Sequence, residues 1–348
     1  MKILVTGGAG FVGGNLAIKF ANKGDQVVCI DNLARRGSEN NLSRLSKAGV
    51  KFIHADIRNN EDLDSIKFNP DVVLECSAQT TAVDGYNNPM YDFTNNTSGL
   101  VNVLEFCRKR SSGIIFWSTN KVYNGNLCNL PPVIEKDTRF EWANPDFILN
   151  GWSMNGFNEN LSIDGGNHTI YGVSKLSADL FCQEWSSAFD VPVTINRFSC
   201  LYGPHQFGMV SQGWIVWFVL AKLLGKQLTF YGFNGKQVRD YLHIDDLFDL
   251  ISLQIYSLRS KKCSVYNVGG GCQNTVSVLE LSQKLDKMLG IESTINHGDP
   301  RREDQKIFIS DISKVSKEHG WSPKISLDDG LSDVINWLKS DDLSWLKL

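Results

Sequence analysis

The sequence lacks the features that mark membrane, secreted and nucleic-acid-binding proteins. Its most apolar run, residues 214–221, is too short to span a bilayer, and we interpret it as a buried helix segment. No basic segment followed by a long apolar core opens the chain, which predicts the absence of a signal peptide. The formal net charge of -3 over 348 residues provides no basic field for nucleic acid. We therefore expect a cytoplasmic protein with no membrane and no nucleic-acid partner.

Disulfide and metal-binding patterns are also missing. The eight cysteines are scattered without a Cys-x-x-Cys pair, and the six histidines show no metal-ligand spacing. A chain of this length does not need a disulfide framework, so we predict free and largely buried thiols in a reducing compartment, and no metal site.

A glycine-rich turn near the N-terminus follows a strand-like apolar segment, residues 2–5. Gly7, Gly8, Gly10 and Gly13 then lead into a helix-like stretch. Such a turn requires backbone angles that a Cβ forbids, and it lets a pyrophosphate approach the main chain and the free N–H groups of the helix start. A second strand ends in Asp31, at the distance where an acid holds the adenosine ribose. The pattern indicates a dinucleotide site.

Strand-like and helix-like segments alternate through the first half of the chain. Further strands are predicted at residues 51–57, 71–76, 113–119 and 191–198, and helices at 92–108 and 170–189. This alternation predicts an α/β fold with a Rossmann-type, doubly wound parallel sheet, whose ligands bind at the carboxyl ends of the strands. Residues 123–169 lose the rhythm and are predicted to form a long irregular insertion.

The rhythm changes again beyond Pro204, where short elements alternate without βαβ units. We predict a dinucleotide-binding domain over residues 1–200. A smaller C-terminal α/β lid domain, residues 201–348, is expected to bind the substrate, with some segments returning to the sheet. The aromatic cluster of Trp214, Trp217 and Phe218 is interpreted as core.

The choice between NAD and NADP depends on charges beyond the second strand. Arg35 and Arg36 could hold a 2′-phosphate, or they could belong to a solvated loop, whereas the charge of Asp31 would repel that phosphate. We predict NAD as the cofactor.

Tyr171 and Lys175 form a Tyr-x-x-x-Lys pair on a predicted helix. Four residues make about one helical turn, so both side chains project from one face. An ammonium beside a phenol favours the phenolate, and Lys175 is therefore expected to lower the pKa of Tyr171. The hydroxyl of Thr119, at a strand end, could hydrogen-bond a substrate hydroxyl. A surface helix pair is the alternative if the motif is taken alone.

Together these motifs resemble the extended short-chain dehydrogenase/reductase family, the NAD-dependent epimerases and dehydratases of nucleotide sugars, from Met1 to about Trp337. The resemblance implies that the first domain holds NAD and the second the nucleotide sugar. It also implies dimers or tetramers, with a four-helix interface from residues 92–108 and 171–189. The residues implied to hold NAD are Gly7, Gly10, Phe11, Val12, Gly13, Asp31, Asn32, Asp56, Ile57, Ala78, Gln79, Asn96, Tyr171 and Lys175.

The residues after Thr119 divide the family further. Its dehydratases carry Asp-Glu there, as acid and base for removing water, whereas this chain has Asn120 and Lys121. Residues 118–123, with 79–83, 202–208, 212–218 and 235–240, instead resemble 2-epimerases of CDP-linked deoxyhexoses. Asn124 and Ile170 depart from the glycine and proline usual in that pattern.

The resemblance implies catalysis by Thr119, Tyr171 and Lys175, with transient oxidation at C2 of the sugar. A route through oxidation at C4 stays open. So do a 4-epimerase, an NAD(P)-dependent reductase or dehydrogenase, and a non-catalytic dinucleotide sensor. Arg239 and Arg301 are expected to hold the diphosphate. The implied substrate-binding residues are Thr119, Asn120, Lys121, Ser199, Gln206, Arg239 and Arg301.

Overall fold

The structure is a computed structural model that describes residues 1–341 and 343, so the last residues of the predicted second domain, 342 and 344–348, lie outside the described residues. The strands of the described chain are β1 Lys2–Thr6, β2 Gln26–Asp31, β3 Lys51–His54, β4 Val72–Glu75, β5 Gly113–Thr119, β6 Val133–Glu135, β7 Phe140–Trp142, β8 Trp152–Ser153, β9 Gly156–Phe157, β10 Val193–Phe198, β11 Cys200–Tyr202, β12 Leu228–Tyr231, β13 Val238–His243, β14 Cys263–Val268, β15 Thr275–Ser277, β16 Ile295–Gly298 and β17 Ile307–Phe308.

Helices alternate with these strands. The α-helices of the described chain are α1 Phe11–Asn22, α2 Asn41–Lys47, α3 Asn60–Ser65, α4 Asp84–Asn87, α5 Pro89–Asp92, α6 Gly99–Arg110, α7 Gly125–Cys128, α8 Ile170–Phe189, α9 Trp214–Leu223, α10 Ile244–Ser257, α11 Val278–Leu289, α12 Ser313–His319 and α13 Leu327–Ser340. A π-helical turn, Phe93–Ser98, joins α5 to α6.

The largest sheet has seven strands in the order β14-β10-β5-β4-β1-β2-β3, and all of its pairs are parallel. Its inner strands β1, β4, β5 and β10 are buried almost throughout, as expected for a parallel sheet covered by helices on each side. The strand order reverses between β1 and β4, and a crevice opens at their carboxyl ends. The prediction of a Rossmann-type doubly wound sheet is confirmed.

Two segments from the second half of the chain join this first layer. Strand β14 forms the edge of the sheet beside β10, and α10 packs against α1 through Leu247, Phe248 and Ile251. The remaining second half has its own core, in which α9, α11 and α13 pack against short mixed sheets built around β13 and β12. Helix α9 contains the apolar run and its aromatic cluster, so the prediction that these residues are core is confirmed.

The predicted helix over residues 92–108 is not one continuous helix. It is divided into α5, the π-helical turn and α6, which ends at Arg110. The turn contains three adjacent buried polar residues, Asn95, Asn96 and Thr97, which an apolar periodicity cannot register. By contrast, α8 has the predicted bounds, with Thr169 capping its first turn through the N–H of Gly172.

The predicted irregular insertion, residues 123–169, contains regular structure. It holds α7 and two antiparallel hairpins, β6–β7 and β8–β9. Trp142, Trp152 and Phe157 pack edge to face in a small core of the insertion. Two- and three-residue strands are too short to show a period, which explains why the sequence pattern missed them.

Candidate active site

A groove lies at the carboxyl ends of β1, β2 and β4. The glycine-rich turn forms its floor. Nine of the predicted dinucleotide-binding residues line it: Gly7, Gly10, Phe11, Val12, Gly13, Asp31, Asn32, Ile57 and Ala78. The structure therefore brings the N-terminal motif and the ends of the neighbouring strands to one crevice.

Glycine is required at two points of the turn because no side chain fits there. Gly7 has a φ of 60°, and a Cβ on it would lie 2.7 Å from the carbonyl oxygen of Cys76. A Cβ on Gly13 would lie 2.3 Å from the carbonyl oxygen of Gly7. The start of α1 therefore packs directly against the turn, and the main chain of the turn is accessible to a ligand phosphate. This cradle fits a dinucleotide pyrophosphate.

Asp31 is fixed at the adenosine end of the groove. One of its carboxylate oxygens accepts the N–H of Ala9 at 3.1 Å and the other that of Leu33 at 2.8 Å. Burial raises the pKa of Asp31, against these hydrogen bonds, which lower it. Such an oriented acid suits two ribose hydroxyls and repels a 2′-phosphate.

The Arg35 side chain contacts protein groups on both sides of the groove. Its guanidinium donates to the Thr80 hydroxyl at 3.3 Å and to the Phe207 carbonyl at 3.2 Å, so it links the sheet side of the groove to the lid side. Arg36 is exposed. Arg35 lines the groove, but its guanidinium already has two protein partners, which agrees with NAD.

Asp56 lies beside the groove rather than in its lining. The guanidinium of Arg58 and the amide of Asn32 both donate to its carboxylate. Burial raises the pKa of Asp56, but these hydrogen bonds outweigh it and bring the value to about 2. Asp56 is therefore an anion over the whole physiological range, held at the same edge as Asn32.

Asn96 connects the groove to the helix that carries Tyr171. Its side chain exchanges two hydrogen bonds with the backbone of Gln79, at 2.8 and 3.1 Å, and donates to the Ser174 hydroxyl at 3.0 Å. Both Gln79 and Asn96 are buried. They therefore fix the position of the loop after β4 relative to α8.

Thr119 and Tyr171 are brought together at the carboxyl end of β5. The Thr119 hydroxyl accepts the N–H of Lys121 at 3.3 Å, and it also hydrogen-bonds the Tyr171 phenol. Gly172 permits this approach, because a Cβ there would lie 2.6 Å from the Lys121 carbonyl oxygen. A hydroxyl and a phenol in direct contact can share one substrate hydroxyl between them.

The prediction that Lys175 lowers the pKa of Tyr171 is wrong for this structure. Burial raises the pKa of Tyr171 to about 12, against the Thr119 hydrogen bond, and Asp92 raises it further. The Lys175 side chain is only 2% exposed, and its Nζ lies 4.2 Å from the centre of the Phe116 ring. The ammonium thus projects into the sheet layer, on the side of Glu75, instead of against the phenol.

A buried ion pair between Arg197 and Asp179 connects the elements that carry Thr119 and Tyr171. Arg197 donates to both carboxylate oxygens of Asp179, at 2.9 and 3.0 Å, and the side chains are 5% and 0% exposed. Ser118 donates to the same carboxylate at 2.7 Å. Arg197 also donates to the Tyr123 hydroxyl at 3.3 Å, and Tyr123 donates to Asn267 at 2.7 Å. The network joins β5, α8, β10 and β14.

Two predicted substrate-binding residues, Lys121 and Arg239, contact the segment of residues 303–305, and a third, Ser199, contacts Asp240, the residue after Arg239. Lys121 Nζ donates to the Glu303 carbonyl at 3.1 Å and to Gln305 at 3.3 Å. Arg239 forms a 2.6 Å ion pair with Asp304. Ser199, two residues after Arg197, donates to the Asp240 carbonyl at 3.3 Å. Burial lowers the pKa of Lys121. Of the nearby charges, the Asp304 carboxylate raises this pKa and the Arg239 guanidinium lowers it further.

The other three lie at different points. Asn120 is buried directly beside Thr119, whose hydroxyl donates to its side-chain oxygen at 3.3 Å. Gln206 lines the dinucleotide groove from the lid side. Arg301 donates to the Val210 carbonyl at 3.1 Å and lies 5.0 Å from the centre of the Tyr231 ring. The two arginines predicted to hold a diphosphate are therefore each engaged by residues of the lid.

Sequence reasoning missed several groups around the groove. Tyr91, Asn95 and Phe207 belong to its lining, and Glu75 and Asp92 are buried acids close to Lys175 and Tyr171. Tyr91 and Asn95 carried a usable signal, because both lie within five residues before the predicted Asn96. Glu75 carried one too, as a charged residue within an otherwise apolar strand.

Comparisons with known proteins agree with this architecture. A model of the NAD dependent epimerase/dehydratase family matches residues 3–269. The chain belongs to this family. Among its relatives is the CDP-paratose 2-epimerase of Salmonella typhi, 35% identical over 350 residues that cover 98% of this chain and 100% of the relative. The dTDP-glucose 4,6-dehydratase of Salmonella typhimurium is 27% identical over 97% of this chain and 92% of its own.

Solved structures of other proteins have a closely similar fold. The UDP-glucuronic acid 4-epimerase from Bacillus cereus, in complex with UDP-glucuronic acid and NAD, matches with a TM-score of 0.78 and 27% identity, covering 98% of this chain and 99% of its own. Pal from Bacillus thuringiensis matches with a TM-score of 0.81 and 26% identity over 98% and 99%. The predictions of the family, of the fold and of NAD as cofactor are confirmed.

The remaining structural expectations concern cysteines, metals and membranes. All eight cysteines lie within the described residues and are free; Cys263 and Cys272 are exposed, the others buried or partly buried. Over residues 1–341 and 343, no group of three or more His, Cys, Asp or Glu side chains is placed to hold a metal ion. None of the helices in that part of the chain is both long and apolar enough to cross a bilayer.

Proposed function

We propose that this family member is a nucleotide-sugar 2-epimerase that converts CDP-paratose to CDP-tyvelose. The observation that carries the proposal is the 35% identity to a CDP-paratose 2-epimerase over essentially the full length of both chains. The run from Thr119 to Tyr123 supports it, because Asn120 and Lys121 stand where the dehydratases of this family carry an acid pair. In addition, the Lys121 ammonium donates to Glu303 and Gln305, which fits a binding role for this side chain.

Three residues carry the proposed chemistry. Tyr171 takes the proton of the sugar hydroxyl, and Thr119, in contact with the phenol, hydrogen-bonds the same oxygen as its charge develops. Lys175 contributes a positive charge to the site. NAD, when bound, supplies the hydride acceptor and then the hydride donor, so the reaction has no net redox change. After the keto sugar reorients, Tyr171 returns the proton to the sugar oxygen, and the hydroxyl that forms has the opposite configuration.

The proposed binding roles follow the geometry of the two regions. Residues 1–200 hold NAD. Five predicted cofactor residues lie outside the groove lining: Asp56, Gln79 and Asn96 support the groove from behind, and Tyr171 and Lys175 lie on α8. Residues 201–348 mainly hold the nucleotide sugar. The proposed diphosphate contacts are Arg239 and Arg301, whose planar guanidinium groups suit phosphate oxygens. In support of this role, the guanidinium of Arg239 already binds one anionic group in the structure, the carboxylate of Asp304.

The direct test is turnover of CDP-paratose by protein purified without added cofactor. Proton NMR is expected to show conversion to the 2-epimer, with NAD found on the protein. A substrate deuterated at C2 is expected to react more slowly if hydride leaves C2. If instead C4 is oxidised, a substrate deuterated at C4 is the one that reacts more slowly. In deuterated water, solvent deuterium then enters at C3, because the C4 ketone makes the C3 protons acidic. If NAD is bound but CDP-paratose is not converted, the proposed substrate is wrong. UDP- and GDP-hexoses would then be tested as substrates of a 4-epimerase.

The assembly that we propose is a homodimer, or a tetramer containing such dimers. Exposed apolar side chains on α8, which include Val173 at 48%, Leu180 at 47% and Phe181 at 39%, lie beside Met90 and Phe93, which are 62% and 53% exposed. Large exposed apolar patches mark protein interfaces. Phe93 and the α8 residues lie within the two segments that the family resemblance implies, 92–108 and 171–189, and Met90 lies just before the first of them. We further propose a cytoplasmic location, which suits eight free thiols.

Light scattering tests this surface directly. At micromolar concentration we expect two or four times the chain mass, and Leu180→Glu is expected to give monomers, because a charge at the centre of the patch is costly to bury. Ile148→Glu is the matched control, since Ile148 is 94% exposed on the insertion. A monomeric wild-type protein, or dissociation by the control alone, would contradict the proposed interface.

A further inference from the structure

A buried acid lies in the sheet layer directly below the site. Glu75 is the last residue of β4 and is 1% exposed. In the sheet register it stands between Thr6 of β1 and Phe116 of β5. One of its oxygens accepts the Thr6 hydroxyl at 3.2 Å, and the other, Oε2, is buried without a well-formed hydrogen bond among residues 1–341 and 343, although the adjacent Ser77 lowers the pKa of this carboxyl. Burial raises the pKa of Glu75 to about 7, so the ionised form of this carboxyl depends on a nearby positive charge.

The nearby positive charge is Lys175. Its Nζ lies over Phe116, the register neighbour of Glu75, and Glu75 is the strongest of the charges that favour its ammonium form. The two groups are not in direct contact, because no ion pair within 4 Å joins them in the described chain. They share one low-dielectric layer, in which a charge acts over a longer distance than in water.

The other acid near Lys175 is already neutralised. Asp179, one helical turn further along α8, accepts two hydrogen bonds from Arg197, one from Ser118 and one from Gln183 at 2.8 Å. Its negative charge is matched by the guanidinium. Asp179 therefore has little free charge to offer the ammonium.

The remaining titratable groups facing Lys175 are thiols. Burial raises the pKa of both Cys76, on the β4 side, and Cys182, on α8, well above the ordinary range. Both are neutral near physiological pH and supply no negative charge. Burial meanwhile lowers the pKa of Lys175, and a nearby negative charge opposes this effect.

We propose that Glu75 is the counter-ion of Lys175 and holds it as an ammonium within the active site. Glu75 is a positioning residue: it contacts neither sugar nor cofactor and acts through the charge of the lysine. The buried Oε2 without a well-formed hydrogen bond is the structural mark of this role. The arrangement also accounts for the direction of the Lys175 side chain, which projects towards the sheet and away from the phenol of Tyr171.

Lysine-selective NMR tests the proposal without any substrate. The holoenzyme is labelled with ¹³Cε lysine, the Lys175 signal is assigned by its loss in Lys175→Arg, and its shift is followed against pH. In Glu75→Gln the midpoint is expected to fall by about 1 pH unit or more, the usual effect of removing an opposite charge in such a site. Glu75→Met, which fills a similar volume, is expected to behave in the same way and provides a second neutral side chain.

Asp92→Asn is the matched control. Asp92 is also a fully buried carboxylate with an unpartnered oxygen, but it acts on Tyr171. We expect the Lys175 midpoint to stay in place in this variant. A midpoint unchanged in Glu75→Gln, or lowered equally in Asp92→Asn, would overturn the counter-ion role.

A second readout rests on the proposed function. The alkaline limb of the kcat profile with CDP-paratose is expected to move to lower pH in Glu75→Gln by the same amount as the NMR midpoint. If CDP-paratose is not a substrate, the NMR result still decides the role of Glu75, so the two proposals fail separately. An NMR shift with an unchanged kcat profile would show that the charge of Lys175 is not used in turnover.

Discussion

Replacing Tyr171 by phenylalanine is expected to lower kcat for epimerisation by about 10²–10⁴-fold, the range for losing one acid–base group. The phenol is the group in contact with the Thr119 hydroxyl at the end of β5, and the variant removes one oxygen while keeping the ring. Bound NAD is expected to remain, because the groove lining is formed by the glycine turn and the loops after β2 and β4. Turnover by NMR and the NAD content of the purified protein check both parts.

The matched control for this variant is Tyr256→Phe. Tyr256 is 83% exposed on α10, so the same loss of one phenol oxygen is expected to leave kcat unchanged within experimental error. A Tyr171→Phe protein that retained kcat within about tenfold of the wild type would remove the proton-transfer assignment. Loss of NAD together with activity would instead indicate that the phenol supports cofactor binding.

The sequence predicted those parts of the site that depend on local pattern. The glycine spacing fixes a turn between β1 and α1, and the Tyr-x-x-x-Lys spacing fixes one face of a helix, because both are set by residues close together in the chain. Helix α8 has the predicted bounds for the same reason. Even the placement of Asp31 follows from the strand that ends there, since its partners are the N–H groups of the adjoining turns.

The direction of a side chain inside a buried layer is not local. Whether Lys175 turns towards Tyr171 or towards the sheet depends on Glu75, a hundred residues earlier, and on the fact that Arg197 already engages Asp179. None of these partners is visible in the four-residue motif. The expected lowering of the pKa of Tyr171 was wrong for this reason: helical spacing places two side chains on one face without specifying where the longer one ends.

The charge pairs around α8 have different roles. Glu75 and Lys175 lie apart and can change protonation, whereas Arg197 and Asp179 form two direct hydrogen bonds in a layer with little water. Although burial opposes it, Asp179 keeps the pKa of Arg197 raised, so the guanidinium stays charged. One pair is therefore suited to tune the site and the other to hold its elements in place.

Replacing Arg197 by methionine is expected to reduce the free energy of unfolding by about 3–5 kcal/mol, the cost of leaving a buried charge without its partner. The variant leaves the Asp179 carboxylate with only Ser118 and Gln183, and it removes the link to Tyr123. Because these contacts join β5, which ends in Thr119, to α8, which carries Tyr171, activity is expected to fall as well. Urea unfolding followed by tryptophan fluorescence measures the change.

Two further variants separate the buried charge from the loss of an arginine. The double variant Arg197→Met with Asp179→Leu is expected to recover part of the stability, since no charge is then buried alone. Lys262→Met removes the cation of an exposed pair with Asp190, whose side chains are 55% and 83% exposed, and is expected to cost less than about 1 kcal/mol. Equal losses in Arg197→Met and Lys262→Met would contradict the structural role of the buried pair.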